Sequence, residues 1–364
     1  MNIHALHDIY KNHLFLENTH IIDIAAATYV TRTLPGDRLC LFPYGASGLG
    51  KTELVRPFMD LPDVVFLDTV TSKAFTAGNL KARLEDKETM ILIPDLAGMS
   101  AEDEDEKRKI CSTFRTLFDG YIKRDTARGD ADANAKNVKA NMLAFSTPAI
   151  KRDLEFSALM GTREIMYELP TMSNNPKLYD KQIDDSGRTE IKRGAKAFFE
   201  NLEVPWVEPN VETKKILREM AERIATWRVV GLADTNGYLL EKVYAEVPKR
   251  LYVQLTKLWK GLTRIGLLPI EVETILKNIE ERTGNKLRED IHRWLNTDYS
   301  SGTPVLAPSP MTIKELSVKL NSSPIEVRKQ LMVLRSMNKV ELLSDNYDIS
   351  SIWEGKPWEY MGES

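Results

Sequence analysis

Short apolar runs alternate with helical patterns through the first half of the chain. Five runs read as buried strands, at residues 39–42, 64–67, 89–95, 142–148 and directly after Arg163. Between them, apolar side chains recur at the three- and four-residue spacing of an amphipathic helix, most clearly in residues 107–121. Strands that alternate with helices are typical of a parallel sheet covered by helices on its faces. The pattern therefore predicts an α/β fold for this part of the protein.

The same pattern divides the chain into several segments. With 364 residues, the chain is longer than a domain with a single hydrophobic core usually is. Residues 1–34 read as helical, and residues 35–172 as the α/β core. Residues 173–209 are polar and contain several prolines, which is typical of a linker. Helical spacing returns in residues 210–283, and residues 284–364 combine helices with a hairpin. We therefore expect a core with helical and C-terminal domains attached.

The C-terminal segment shows a recognisable order of elements. Thr312 and Glu315 form a capping box that opens a short helix, and a longer helix follows at residues 325–337. Two strands are predicted at residues 340–343 and 347–349. Short helix, turn, longer helix and hairpin predict a winged helix-turn-helix, a module that binds DNA and also docks proteins. The predicted DNA-binding residues, on and just after the second helix, are Arg328, Lys329, Arg335 and Lys339.

A glycine-rich stretch follows the first predicted strand and matches the phosphate-binding pattern G-x-x-x-x-G-K-[ST]. Strand, glycine loop and helix start is the arrangement in which backbone N–H groups converge on a polyphosphate. Lys51 would reach the β- and γ-phosphates, and the Thr52 hydroxyl would ligate Mg²⁺. A flexible glycine turn is the alternative. The predicted nucleotide-binding residues are Gly45, Ser47, Gly48, Leu49, Gly50, Lys51, Thr52 and Glu53.

The third apolar run ends in Asp95, where a buried strand would deliver a carboxylate to the Mg²⁺ shell opposite Lys51 and Thr52. Apolar runs that end in aspartate also occur by chance. Many ATPases place a glutamate directly after this aspartate to orient the attacking water, whereas this chain has Leu96. Either another carboxylate serves, with the acidic run 102–106 nearest, or hydrolysis is slow. The acidic run also reads as an ordinary helix start.

Three further residues are candidates for sensing the nucleotide. Ser146 and Thr147 end the fourth strand, which could bring a hydroxyl to the γ-phosphate or the attacking water. Simple capping of the strand is the alternative. Arg163 precedes the fifth strand and could reach a phosphate across a subunit interface as an arginine finger. The other interpretation of this arginine is a salt bridge with Asp119 or Glu164.

Composition and charge limit the classes of partner. The net charge of -3 speaks against a uniformly basic nucleic-acid coat, so DNA contact should come from a local patch. Cys40 and Cys111 are far apart and lack zinc spacing, so neither a disulfide nor a metal site is expected from them. The chain has no run of about 18 apolar residues and no signal-peptide pattern, so we expect no membrane partner and a cytoplasmic location.

Together these motifs resemble those of the AAA+ ATPases. More narrowly, Tyr44–Glu53, Leu117–Gly120, Ser146–Pro148 and Gly161–Arg163 resemble an AAA+ branch of phage, plasmid and other mobile-element ATPases. That branch is similar to the minichromosome maintenance helicases. The resemblance covers roughly residues 35–265. It implies a ring, expected to be a hexamer, that binds ATP and Mg²⁺ at subunit interfaces and acts on DNA in replication.

The resemblance also suggests roles outside the core. Residues 210–283 look like the helical lid of an AAA+ module, in which Arg250 matches the sensor-two position and would contact the γ-phosphate. A surface arginine is the alternative. Helices within residues 3–33 could meet the adenine or simply pack in the core. The polar insertion 127–140, which in ring ATPases can face the pore, could touch DNA or be a solvated loop. The basic residues in and before it are Lys123, Arg124, Arg128, Lys136 and Lys139.

These observations favour an ATP-dependent DNA motor, expected to be the replicative helicase of a mobile element. A DNA-binding switch or loader that oligomerises with ATP, without unwinding DNA, is the second hypothesis. Leu96 favours it, because no glutamate follows Asp95. A nucleotide-binding defence or signalling protein is the third hypothesis, which the predicted winged helix disfavours.

Overall fold

The computed structural model places the chain in two compact units. The first comprises Met1–Ala221 and Lys249–Thr283, and the second comprises Glu222–Pro248 and Gly284–Ser364. No helix in the described part of the chain is both long and apolar enough to cross a membrane. The structure describes residues 1–68, 70, 78–96, 98–99, 102–121, 137–148, 150, 160, 163–170, 183–229, 231, 233–240, 243, 246–298, 305–306, 309–344 and 352–355.

The first unit is built on a five-stranded parallel sheet. Its strands are β1 (Cys40–Tyr44), β2 (Val64–Phe66), β3 (Glu88–Ile93), β4 (Lys139–Ala144) and β5 (Ile165–Glu168). They lie in the spatial order β2-β3-β4-β1-β5, each parallel to its neighbours. The strands β1, β3 and β4 are buried almost throughout, as parallel strands covered on both faces are. The predicted α/β fold with a parallel sheet flanked by helices is confirmed.

Helices cover this sheet. Those of the first unit are α1 (Ile3–His13), α2 (His20–Val30), α3 (Lys51–Val55), α4 (Gly78–Leu84), α5 (Glu104–Phe118) and α6 (Asp185–Glu200). A helix that begins in the first unit and ends in the second, α7 (Val211–Trp227), is followed by α8 (Lys249–Arg264) and α9 (Pro269–Thr283). As its periodicity predicts, α5 turns Ile110, Phe114 and Leu117 into one core cluster with Phe42 and Ile93.

The N-terminal helices belong to the same unit as the sheet. The Asn141 side chain of β4 donates to the Thr28 carbonyl of α2 at 2.9 Å and accepts from the Leu39 N–H at 3.1 Å. His7 of α1 and Asp23 of α2 form a buried pair, with Nε2 and Oδ1 2.6 Å apart. Every residue of α2 except the first is buried. Core packing, the alternative to a contact with adenine, therefore describes α2.

The prediction of a linker over residues 173–209 is wrong for the part that forms α6. The Asp184 side chain caps this helix. The apolar side of α6 packs on α1, where Gly194 allows a close approach: a Cβ at this position would lie 2.8 Å from Cδ1 of Ile9. The segment reads as polar because α6 has only one narrow apolar stripe, with Ile191, Ala195 and Phe198 buried.

The two helices predicted as part of a lid pack against the sheet. From α8, Gln254 accepts from the Cys40 N–H at 3.1 Å and donates to the Arg163 carbonyl at 3.0 Å, so this helix crosses the amino ends of β1 and β5. From α9, the Thr283 hydroxyl accepts from the Met166 N–H at 3.0 Å, so this helix lies along the outer edge of β5. Both helices belong to the unit that contains the sheet, and a separate lid stays a prediction.

The C-terminal part of the second unit begins with α10 (Lys286–Leu295). Two short paired strands, β6 (Thr297–Asp298) and β7 (Val305–Leu306), follow. The remaining elements are β8 (Met311–Thr312), α11 (Ile313–Lys319), α12 (Pro324–Ser336), β9 (Val340–Ser344) and β10 (Ile352–Gly355). The three last strands form an antiparallel sheet in the order β8-β10-β9.

The core of this unit lies under α12. Trp353 of β10 is buried in one cluster with Leu316 of α11 and with Leu331 of α12. The predicted capping box is confirmed, because the Glu315 N–H donates to Thr312 Oγ1 at 3.1 Å and the Thr312 N–H donates to the Glu315 carboxylate at 2.7 Å. The predicted strand 347–349 lies outside the described residues. The order of elements fits the predicted winged helix, whose identification stays a prediction.

Candidate functional site

The ends of three neighbouring strands bring the predicted site residues together. Beyond β1, the Gly45 N–H donates to the Ser146 carbonyl at 3.2 Å, and the Ser146 N–H donates to the Pro43 carbonyl at 3.0 Å. Beyond β3, the Leu96 N–H donates to the Phe145 carbonyl at 2.7 Å. The strand β4 lies between β1 and β3. The carboxyl edge of this one sheet therefore brings together the glycine loop, Ser146 and Asp95, the residue before Leu96.

Glycine is required at different positions of loop 45–52 for different structural reasons. Gly48 and Gly50 have φ angles of +84° and +67°, the left-handed region that glycine adopts without strain, and a Cβ on either would meet nothing within 4 Å. Gly45 is closely packed instead, because a Cβ there would lie 2.9 Å from Leu49 Cδ1 and 3.0 Å from the Leu169 Cβ. The start of the loop is thus closely packed, whereas Gly48 and Gly50 have open space around them and Ser47 is exposed.

Lys51 lies near the end of this loop and bends back over it. Its Nζ donates to the Gly45 carbonyl at 2.8 Å and to the Ala46 carbonyl at 3.1 Å. Burial lowers the pKa of Lys51, and the nearby Asp95 carboxylate acts in the opposite direction. The ammonium group is therefore held inside the loop and within electrostatic reach of Asp95, which is the placement that a phosphate-binding lysine requires.

The helix that starts at Lys51 is short. It ends at Val55 and continues as a 3₁₀ turn, Arg56–Phe58, because Pro57 lacks the N–H that would extend the α-helix. The Thr52 side chain in its first turn is exposed. With little more than one turn of α-helix, the helix dipole contributes little, so the backbone N–H groups of the loop would have to supply most of the attraction for an anion.

Glu53 is held by two arginines. Its carboxylate lies 3.3 Å from Arg56 of the same turn and 3.0 Å from Arg188 of α6. Sequence reasoning missed Arg188, because its segment was read as a linker. The signals that could have found α6 are the capping Asp184 and the helical spacing of its apolar residues, which polar composition obscures.

The side chains of the adjacent residues Asp95 and Leu96 lie in different surroundings. The Asp95 side chain is exposed at the sheet edge, whereas Leu96 is 2% exposed and belongs to the core cluster. The acidic run beyond them starts α5: Asp103 accepts from the Glu106 N–H at 2.8 Å as its N-cap. The interpretation of this run as an acidic helix start is confirmed. Among the described residues, no group of three or more His, Cys, Asp or Glu could hold a metal ion by itself.

The two hydroxyl residues after β4 differ in exposure. Ser146 is buried between the glycine loop and the end of β3, while Thr147, the next residue, is partly exposed. The Thr147 carbonyl accepts from the Ile150 N–H at 3.2 Å, which forms a turn directly after the strand. Ser146 is therefore the residue that the fold places beside both the loop and Asp95.

Arg163 lies at the opposite edge of the sheet from the loop. It is 8% exposed and makes a two-pronged salt bridge with Asp119, with Nη2 2.9 Å from Oδ2 and Nε 3.2 Å from Oδ1. The salt bridge with Asp119, one of the two predicted alternatives, is thus present. The two ends of β1 are roughly 15 Å apart, so Arg163 cannot reach the glycine loop of its own chain.

Arg250 lies beside Arg163 and not beside the loop. Its guanidinium carbon is 5.5 Å from the centroid of the Phe118 ring, and that of Arg163 is 5.7 Å from the same ring. Phe118 ends α5 at the amino edge of the sheet. Because α8 packs across the amino ends of the strands, Arg250 lies away from the loop of its own chain, and its predicted contact with a γ-phosphate stays a prediction.

The predicted insertion 127–140 is only partly within the described residues. Lys123, Arg124, Arg128 and Lys136 lie outside them. Lys139 is described and begins β4, where it pairs in register with Glu88 of β3. Lys139 therefore belongs to the sheet and not to a polar loop, because the strand starts earlier than its apolar run.

In the second unit, a turn covers part of the predicted DNA-contacting face of α12. We call residues 234–238 the 234–238 turn. Gly237 of this turn has a φ of +86°, and a Cβ there would lie 2.6 Å from the Ile325 carbonyl oxygen. Arg328 donates to the Asn236 carbonyl at 3.0 Å, and its guanidinium lies 5.1 Å from the Tyr238 ring centroid. The first half of α12 is thus occupied by contacts within the unit.

Both sides of α12 are covered further along its length. Val333 packs on Val229 and Val243, while Val327 and Leu331 pack in the main core of the unit. The basic residues predicted to contact DNA therefore do not all lie on an open face. Of the four basic residues, Arg335 is exposed, and the others, Arg328, Lys329 and Lys339, are half-buried.

No protein-family model matches this chain, and no curated protein has a significantly similar sequence.

Proposed function

We propose that this protein is an ATP- and Mg²⁺-dependent AAA+ ATPase of the mobile-element type that acts on DNA. The observation that supports this best is the meeting of loop 45–52, Asp95 and Ser146 at the carboxyl edge of one parallel sheet. In open α/β sheets this edge is where ligands bind, and a glycine loop at it suits a polyphosphate. Three separate stretches of sequence therefore supply one site.

Each residue has a role in this proposal. Lys51 would exchange the loop carbonyls that it now contacts for the β- and γ-phosphates. Thr52 and Asp95, both exposed, would hold the metal, which offsets phosphate charge. A metal held by one carboxylate, one hydroxyl and phosphate oxygens matches how Mg²⁺ is usually bound. Ser146 would hydrogen-bond the γ-phosphate or the attacking water.

The two arginines at the amino edge support assembly into a ring. Neither lies near the loop of its own chain, so a phosphate contact from this edge has to be made with a neighbouring subunit. Arg250 is half-buried, whereas Arg163 is buried against Asp119. We assign the contact with the neighbouring nucleotide to Arg250, with Arg163 holding the Phe118 ring and Asp119 beneath it. A ring of identical subunits, expected to be a hexamer, provides such head-to-tail contacts.

DNA contact is proposed for the second unit and for the ring interior. In the second unit, Arg335 is the exposed member of the predicted basic set, and the half-buried Lys339 follows shortly after the same helix. Contacts with phosphates are sequence-independent and require only accessible positive charge. Unwinding of DNA as a replicative helicase is the favoured activity, by resemblance to the minichromosome maintenance helicases.

A second candidate, an ATP-switched DNA-binding loader or regulator, is favoured by one observation. The residue after Asp95 is a buried leucine, so the position that often orients the attacking water carries no carboxylate. A protein that binds ATP tightly and hydrolyses it slowly would oligomerise on DNA and recruit a partner without unwinding.

ATP turnover, measured with and without single- and double-stranded DNA, tests the proposal. We expect several-fold stimulation by DNA in the wild type and loss of turnover in Lys51→Ala, while Lys196→Ala, an exposed lysine of α6, behaves as the wild type. Tight ATP binding with negligible turnover under every condition would establish the switch. Absence of ATP binding to the wild type would refute both. Strand displacement with ATP then distinguishes a helicase from other DNA-stimulated ATPases.

A further inference from the structure

A small cavity lies beside α8, the helix that crosses the amino ends of β1 and β5. Its volume is about 180 Å³. One wall is formed by Leu34 and Pro35, shortly before β1, and the other by one face of α8. Sites for drug-sized ligands take about 300 Å³ or more, so this cavity has room only for a small molecule. The residues of α8 that line it are Tyr252, Val253, Thr256, Lys257 and Lys260.

Lys257 connects the two walls of this cavity. It is buried, and its Nζ donates to the Leu34 carbonyl at 2.9 Å and to the Asp37 carbonyl at 3.0 Å. Because Leu34 and Lys257 both line the cavity, the amine lies where the two walls meet. A lysine amine is thus placed at the boundary of a space that a small ligand can occupy.

The surroundings of Lys257 favour its uncharged form. Burial is the main cause that lowers its pKa to about 7, and the charge of Arg38 acts in the same direction. The carboxylates of Asp37 and Glu88 oppose this shift. At pH 7.5 most of the amine is then unprotonated, against roughly one molecule in a thousand for a lysine with the ordinary pKa of 10.5. Lysines that attack carbonyl carbons are commonly desolvated or placed next to another cation in this way.

The groups around the amine narrow the class of electrophile. Carbon dioxide would form a carbamate, whose negative charge would lie against the carbonyl oxygens of Leu34 and Asp37. An acyl donor also carries a leaving group, such as a thiol or a phosphate, for which the cavity has little room. An aldehyde is small, forms an imine without negative charge and releases only water. The walls at Leu34, Pro35 and Val253 suit an aliphatic chain.

A hydroxyl group is available to such a ligand. Thr256 lines the cavity next to Lys257, and its Oγ1 is buried without a hydrogen-bond partner in the part of the chain that the structure describes. A buried hydroxyl without a partner is costly, and an aldehyde oxygen would accept its proton in a hydrogen bond.

We propose that this cavity is a covalent binding site for a small aliphatic aldehyde, which forms an imine with Lys257. The Nζ lone pair attacks the carbonyl carbon, and one N–H proton moves to the carbonyl oxygen, which gives a carbinolamine. The hydroxyl then leaves with the second N–H proton as water, and the C=N bond forms without an oxidant or a reductant. The Leu34 carbonyl also accepts from Arg38 at 3.2 Å, so it keeps a donor when Nζ turns to the ligand. The inference does not depend on the proposed ATPase activity.

Reductive trapping measures this reaction at each lysine of the whole protein. Propanal and cyanoborohydride at pH 7.5 convert an imine into a stable secondary amine, and peptide mass spectrometry gives the labelling rate of every lysine. Two lysines are internal controls: Lys260 lines the same cavity but is paired with Glu208 at 2.6 Å, and Lys196 is exposed on α6. We expect Lys257 to be labelled about tenfold faster than either control, with a rate that saturates as propanal increases. With 1-naphthaldehyde, which is too large for the cavity, this advantage over Lys196 should disappear.

Each other outcome would overturn the proposal. Labelling of Lys257 no faster than that of the controls would show that burial only protects a structural amine. A fast reaction that does not saturate, with the same advantage over Lys196 for both aldehydes, would show a reactive lysine without a ligand site. Val253→Trp fills the cavity from α8 and should remove the advantage of Lys257 while leaving Lys196 unchanged. If this variant does not fold, the comparison of the two aldehydes on the wild type decides the question.

Discussion

At the scale of single residues, Leu96 decides what the site can do chemically. Its backbone N–H continues the hydrogen bonding between β3 and β4, and its side chain packs in the core beneath the sheet. Asp95, one residue earlier, faces solvent. The two side chains therefore lie on opposite sides of the chain, and a carboxylate at position 96 would enter the core instead of the site.

We predict that Leu96→Glu destabilises the protein and does not speed ATP hydrolysis. A carboxylate buried without a partner costs about 3 to 5 kcal/mol, because the charge loses its hydration or has to be neutralised by a proton. Urea unfolding measures this loss, and Leu96→Met, which keeps the volume and apolar character, should cost less than about 1.5 kcal/mol. A Leu96→Glu protein as stable as the wild type, with faster turnover, would contradict the placement of this side chain.

At the scale of elements, the contact between the 234–238 turn and α12 changes how the second unit is understood. The helix resembles an exposed recognition helix in sequence because its basic residues follow a helical spacing. The segment that covers it is more than 80 residues earlier in the chain, as the Arg328–Asn236 hydrogen bond shows with its separation of 92 residues. A buried salt bridge, with two contacts of 2.8 Å, connects Arg228 before this turn to Glu246 after it.

Substitution of two glycines tests this contact. Gly237 and Gly36 have nearly equal φ angles, +86° and +85°, but only the Cβ of Gly237 would meet a backbone atom, the Ile325 carbonyl oxygen at 2.6 Å. Gly36→Ala should cost about 1 to 2 kcal/mol, for the left-handed conformation alone. Gly237→Ala should cost about 1 to 3 kcal/mol more, since the turn has to move off α12.

Denaturant unfolding of each variant measures these losses, and hydrogen exchange in α12 locates them. We expect faster exchange at the start of α12 in Gly237→Ala and not in Gly36→Ala. Equal losses of stability in the two variants, with unchanged exchange in α12, would show that the turn does not press on this helix.

At the scale of the whole molecule, one buried lysine makes stability depend on pH. Lys257 of α8 is 4% exposed and donates to the Leu34 and Asp37 carbonyls at 2.9 and 3.0 Å. Burial is the main cause that lowers its pKa to about 7, with the charge of Arg38 next. Its ordinary pKa is 10.5, so between these values the unfolded chain binds more protons than the folded one.

The free energy of unfolding should therefore rise with pH from about 7 toward 10, by at most about 1.4 kcal/mol per pH unit from this group. Below about pH 7 the lysine is protonated in both states and contributes no slope. Urea unfolding at pH 7 and pH 9 measures the rise. Lys257→Met should reduce it, and Lys260→Met, a lysine of the same helix paired with Glu208, should keep it. Equal slopes in all three proteins would exclude Lys257 as the cause.

The assembly makes a second prediction at this scale. Lys51→Ala and Arg250→Ala should each lack ATP turnover, for different reasons. If Arg250 acts on a neighbour, an equal mixture of the two variants contains some interfaces with an intact lysine and an intact arginine. Random assembly makes about a quarter of the interfaces intact, so turnover should recover to roughly that fraction. No recovery after mixing would place Arg250 outside the active interface.

Much of the first unit could be predicted from sequence, because its signals are local. Each buried strand is a continuous apolar run, and the Asp119–Gly120 end of α5, the glycine loop and the acidic helix start are encoded within a few residues. What could not be predicted follows from packing between distant segments. Arg188, in a segment with a polar composition, reaches Glu53 across 135 residues. Arg250 takes its position from Gln254, which bonds Cys40 across 214 residues.

The sequence by itself determined the elements and the chemistry of loop 45–52, since periodicity, glycine and capping residues act through their immediate neighbours. The tertiary structure alone decided which side chains share a site. It placed Ser146 between the loop and Asp95, turned Leu96 into the core, moved Arg250 to the edge opposite the loop, and covered α12 with the 234–238 turn. Such contacts depend on how faces of helices and edges of strands fit together, and no local pattern in a single sequence records that fit.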